Sequence, residues 1–92
     1  MAKFLHIAFN FESRPAKQKV LIPVFDLALD WVRYAPNCWI VYTTSNPKKW
    51  YERLKPRLHN ADGIFICELN LSERSGWLPQ SVWDWIGKNR NK

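Results

Sequence analysis

The sequence predicts an α+β domain of the ferredoxin-like kind: β, α, β, β, α, β, followed by a short C-terminal helix. Such an order gives a four-stranded antiparallel sheet with two helices on one face. Three observations carry this. Trp39-Ile40-Val41-Tyr42-Thr43-Thr44 and Ile64-Phe65-Ile66-Cys67-Glu68-Leu69 are short apolar runs rich in β-branched and aromatic residues. A basic segment from Pro47 to Leu58 bridges them with helical periodicity. Near the N-terminus, alternation separates Leu5, Ile7, Phe9 and Phe11 from Phe4, His6, Ala8 and Asn10, which describes a strand from Lys3 to about Phe11 with one fully apolar face.

After the turn chemistry of Glu12-Ser13-Arg14-Pro15, Leu21, Val24, Phe25 and Ala28 fall on one helical face. Pro23 interrupts that pattern. A proline is tolerated in the first helical turn but costs about 3 kcal/mol in a helix interior, so a start near Leu21 is expected over one near Ala16 with a kink at Pro23. Trp31-Val32-Arg33-Tyr34 and the run from Cys38 flank Ala35-Pro36-Asn37, a hairpin signature whose weaker member is the first run, with the last turn of the preceding helix as its alternative. Asn46 is a good N-cap and Pro47 a good first residue for the second helix, whose buried stripe is Trp50, Leu54 and Leu58. Asn60-Ala61-Asp62-Gly63 breaks the chain before the last strand. Pro79 opens a final short helix with Val82 and Ile86 as its apolar edge, and residues 88–92 read as a frayed polar tail.

Ninety-two residues form one domain spanning 1–92. Aromatics make up 15% of the chain, with 6 Trp, more apolar area than one small core easily covers. A self-association surface is therefore expected, with Trp31, Trp39, Trp77, Trp83 and Trp85 as interface candidates. The same rings could stack on exposed bases. Net charge is +6, which favours anionic partners, nucleic acid first among them. No signal peptide or membrane-length apolar run is present, so a cytoplasmic protein with no membrane partner is expected, its Cys38 and Cys67 reduced.

The strand ending at Phe9-Asn10-Phe11, Trp31 before a hairpin, Trp39-Ile40-Val41, Leu54-Lys55-Pro56, Asn60-Ala61-Asp62-Gly63, and Gly76-Trp77-Leu78-Pro79 with Trp83 and Trp85 form a combination. It resembles the small ferredoxin-like proteins related to the second CRISPR-associated protein, in the branch labelled SinR-like. The resemblance implies a homodimer whose subunits meet largely through their sheets, acting with nucleic acid either as a metal-dependent nuclease or as a non-catalytic scaffold. The residue tied to nuclease activity there is an Asp at the end of the first strand. This chain has Asn10 at that position. An amide offers a metal only a dipole oxygen and cannot accept a proton as a base, and Glu12 is the one nearby carboxylate on the same strand face.

The best site candidate is therefore the basic helix. Lys48, Lys49, Arg53, Lys55 and Arg57 against Glu52 give +4 within ten residues, suited to phosphate-backbone contacts with little sequence preference. A solvated helix face kept charged for solubility is the competing explanation. Arg14, Lys17 and Lys19 form a looser second group. No catalytic residue, metal ligand set or cofactor motif is identified: the serines lack a His–acid pattern, the two cysteines lack zinc spacing, and there is no glycine-rich phosphate loop. The sequence thus favours non-catalytic nucleic-acid binding or scaffolding by a homodimer. Its rivals are a metal-dependent endonuclease using Glu12, and a protein-interaction module of a toxin–antitoxin or phage-related system.

Overall fold

The computed structural model describes residues 1–12, 18–88 and 90. It is an α+β domain: β1 (Lys3–Asn10), α1 (Gln18–Phe25), β2 (Asp30–Ala35), β3 (Cys38–Thr43), α2 (Pro47–Leu54), a 3-10 turn at Lys55–Arg57, β4 (Gly63–Leu69) and α3 (Gln80–Gly87). The four strands form one open sheet in the order β2-β3-β1-β4, and every neighbouring pair is antiparallel. The first strand in sequence is thus interior to the sheet.

Alternation along β1 and β3 divides the molecule into two apolar layers. Leu5, Ile7 and Phe9 of β1 and Trp39 and Val41 of β3 point to one face, where they pack with Leu21, Val24 and Phe25 of α1 and Trp50 and Leu54 of α2. Aromatic rings organise this layer. Phe25 stacks on Trp39 with centroids 4.7 Å apart and lies 6.1 Å from Trp50, while Phe9 meets Trp39 edge-on at 5.4 Å. Trp50 is fully buried, and its indole N–H donates to Thr43 Oγ1 at 3.1 Å.

The opposite face, expected to await a second copy, is roofed by the chain's own C-terminal helix. Val82 and Ile86 of α3 pack on Ile40, with Phe4, Val32, Tyr34 and Leu69 around them. The expectation of a bare sheet fails because the aromatic excess goes inward: Trp83 and Trp85 join this second layer instead of facing a partner. The roof is partial, and Phe65 on β4 remains 64% exposed.

Two further expectations need correction. Helix α1 begins at Gln18, not near Leu21, and holds Pro23 in its interior. Burial of Leu21, Val24 and Phe25 outweighs the lost backbone bond, and Pro23 itself faces solvent. The tail is not wholly frayed, because Arg90 docks. Its guanidinium lies over Trp85, Phe4 and Tyr42, its Nη2 is 3.4 Å from Asp30 Oδ2, and Tyr42 Oη donates to its carbonyl oxygen at 3.3 Å. Among the described residues, no helix is long and apolar enough to cross a membrane.

Candidate nucleic-acid interface

Helix α2 starts where the sequence places it. Asn46 is extended, its Oδ1 accepts from the Lys49 amide at 2.8 Å, and Pro47 fills the first turn. With Trp50 and Leu54 fixed inward, the cations must occupy the remaining surface. Lys49, Arg53 and Arg57 follow one row at i, i+4 and i+8; Lys48 and Lys55 lie on another, with Tyr51 between them.

The five cations are not equivalent. Lys48 and Lys49 are exposed in the first turn, which contains no acidic residue. Arg53 is half-buried with its guanidinium carbon 4.9 Å from the centroid of the Trp50 ring. Arg57 donates from Nη1 to the Arg53 carbonyl oxygen at 3.0 Å and so closes the helix end. Lys55 lies near enough to Asp62 to favour its charged form. Among the described residues, none of the five forms an ion pair. Of the looser second group, Arg14 and Lys17 lie outside the described residues, while Lys19 is exposed.

The tryptophan set separates as well. Trp39 is 1% exposed, which removes it from the interface candidates, since its ring is consumed by Phe25 and Phe9. Trp31 is half-buried against the same layer, and its indole donates to Asp26 Oδ1 at 3.0 Å. Only Trp77 stands free, 98% exposed in the loop before α3.

At the end of β1, Asn10 and Glu12 are both exposed. The residue that organises this corner is Asp62, which the sequence marked only as part of a chain break. Its Oδ1 accepts from the Glu12 amide and its Oδ2 from the His59 amide, each at 2.9 Å. Those two backbone bonds outweigh partial desolvation and hold its carboxyl below the ordinary value. Asp62 therefore ties the exit of β1 to the loop before β4. Among the described residues, no three His, Cys, Asp or Glu side chains gather closely enough to hold a metal ion.

A third polar group lies on the α3 side of the sheet. His6 Nε2 and Tyr34 Oη are 2.6 Å apart. Burial lowers the His6 pKa from its ordinary 6.5, so the ring is neutral at pH 7. Burial, aided by the neighbouring Cys38, pushes the Tyr34 hydroxyl up to about 12. Cys38 and Cys67 are free thiols, half-buried. They pair with Ala8 and His6 from opposite sides of β1, so two strand spacings of about 4.8 Å each separate them, beyond disulfide reach. No family model, curated protein or solved structure matches the chain.

Proposed function

We propose that this chain is a ferredoxin-like scaffold that binds nucleic acid without cleaving it, through the cations of α2 and the turn that follows. The strand order β2-β3-β1-β4, with α1 and α2 on one face, supports the ferredoxin-like reading. The observation that carries the function is the first turn of α2. Lys48 and Lys49 stand at the positive end of the helix dipole, with no acid in the turn and no ion pair among the described residues. Cations there cost roughly 0.3–1 kcal/mol each, and a phosphate group relieves both the charge and the dipole. A face serving solubility alone would place acids at that end.

Binding would proceed by neutralisation of backbone phosphates and release of counterions, with Lys48 and Lys49 as the freest contacts and Arg53, Lys55 and Arg57 extending the track. The departure at Asn10 and the engagement of both Asp62 oxygens by backbone amides favour a scaffold over a nuclease, in keeping with the non-catalytic side of the CRISPR-related group the motifs resemble. One observation favours the protein-interaction reading instead: the free ring of Trp77.

A titration against duplex and single-stranded DNA and RNA across a salt series tests the proposal. Three to five phosphate contacts give a slope of log affinity on log salt of about −2 to −4.5. Reversal of Lys48, Lys49 and Arg53 to Glu should flatten it. Affinity indifferent to both salt and reversal rejects the proposal. A protein partner retained through Trp77, with no nucleic acid bound at physiological salt, would favour the rival.

A further inference from the structure

The two edges of the sheet differ in a way the monomer does not explain. β2 is defended: its pairing with β3 is irregular between Arg33 and Ala35, Arg33 is exposed, and Pro36 follows the strand. A bulge, an outward cation and a proline are the usual means by which an edge avoids pairing with another chain. β4 has none of them. Gly63–Leu69 pairs with β1 without a register shift, contains no proline or lysine, and carries a single charge, Glu68.

The direction of its free backbone groups follows from the ladder. Phe9 donates from its backbone N to the Asn37 carbonyl oxygen at 2.9 Å, so Phe9 turns toward β3, as do Ile7, Leu5 and Lys3. The alternate residues of β1 turn toward β4, where they meet Gly63, Phe65, Cys67 and Leu69. The N–H and C=O groups of Ile64, Ile66 and Glu68 therefore point outward, along an edge that no strand occupies among the described residues.

A shallow groove of about 340 Å³ runs beside this edge, lined by Pro47, Lys48, Tyr51, Ile64, Phe65 and Ile66. Tyr51 is 45% and Phe65 64% exposed.

We infer that the β4 edge pairs antiparallel with the β4 edge of a second copy, about a two-fold axis at Ile66, making one continuous eight-stranded sheet. In that register Ile66 faces its own counterpart and Ile64 faces Glu68 of the second copy, so outward backbone groups meet outward backbone groups. Glu68 shares the helix-side face with Ile64 and Ile66, because its partner on β1 is Leu5. Reversing the strand sets it in the groove beside Lys48. The edge thus supplies both halves of its own ion pair, twice, as an isologous contact requires. On the other face, Phe65 closes against Cys67 of the second copy.

The measurement is sedimentation velocity of the full chain from 1 to 500 μM (~500-fold), without nucleic acid, so its outcome is independent of the proposed binding function. The expected result is a reversible monomer–dimer equilibrium. Amide exchange should slow with concentration at Ile64, Ile66 and Glu68, and stay constant at Phe65, Cys67 and Leu69, which β1 already protects. Ile66→Pro deletes an outward donor, spares the bonds to β1 and trims the Ile66 side chain from the helix-side layer; it should give a folded monomer, checked by near-ultraviolet circular dichroism. Should that variant fail to fold, Glu68→Lys and Lys48→Glu decide the matter: each alone should weaken the dimer about tenfold, and the double exchange should restore it. A chain monomeric at the highest concentration overturns the inference. So does a dimer insensitive to the charge exchange, or one whose outward amides remain fast.

Discussion

The guanidinium carbon of Arg90 lies 4.2 Å from the centroid of the Trp85 ring and holds the end of the described chain against the sheet. Phe4 and Tyr42 contribute rings at 5.3 and 5.4 Å, leaving the arginine side chain only 10% exposed. A desolvated cation over several rings is stabilised by up to about 2 kcal/mol. Arg90→Ala should lower stability by roughly 1–2 kcal/mol in urea unfolding. Arg90→Lys should recover only part of that, since an ammonium cannot both stack and reach Asp30.

Asp30 gives the same contact a pH dependence. Burial pushes its carboxyl up, but the nearby Trp85 indole, Lys88 at 3.1 Å and the Trp31 amide outweigh this and hold it below its ordinary 3.8. A carboxylate held down in the folded state stabilises above its unfolded pKa, and the contribution disappears as pH falls through the folded value. The stability difference between the parent chain and Asp30→Asn should therefore be full at pH 6 and shrink progressively as acid titrates the carboxylate below its ordinary range. A difference that persists unchanged into acid would contradict the assignment.

Thr43 Oγ1 accepts from the buried Trp50 indole and from the Ser45 amide at 3.0 Å. Thr43→Val keeps the shape and removes the acceptor, leaving a buried donor without a partner. The expected cost is about 1–3 kcal/mol, with Thr43→Ser close to the parent. Equal stability of the Val and Ser variants would show that the hydroxyl contributes nothing.

Asp62→Ala should reduce the urea midpoint and accelerate amide exchange at Glu12 and His59, the two donors it holds. Asp62→Asn keeps one strong acceptor and should release one of those amides more than the other. Because the carboxyl is held below its ordinary value, the difference from Ala should shrink as acid protonates it.

Pro23 is exposed within α1, where it leaves the Lys19 carbonyl without its helical donor. Pro23→Ala restores that bond at the expense of a less constrained unfolded chain. The balance should be a gain of about 1–2 kcal/mol in unfolding free energy.

Much of this arrangement was legible from local rules. Asn46-Pro47 marked the start of α2, Ala35-Pro36-Asn37 the hairpin, and the alternation of Leu5, Ile7 and Phe9 the helix-covered face. What escaped was decided by distant parts of the chain. Pro23 sits mid-helix because residues on β1 and β3 reward the burial of Leu21 and Phe25. Trp83 and Trp85 turn inward because α3 folds back across Phe4 and Ile40, which no periodicity within α3 reveals. The basic residues were identifiable by type, but Arg57 closes a helix and Arg53 stacks on Trp50, so composition alone overstated how many are free. Asp62 looked like turn chemistry, because its partner Glu12 is fifty residues away.

The segment Lys3–Asn10 is synthesised before β3 and β4, yet it is the strand that forms ladders with both of them. Until Leu69 has been synthesised, this apolar ribbon has at least one unsatisfied margin, and before Thr43 it has two. A nascent chain that stalls between those points would display a sticky hydrophobic template. Slow translation or early truncation should thus be more hazardous here than damage to the finished molecule.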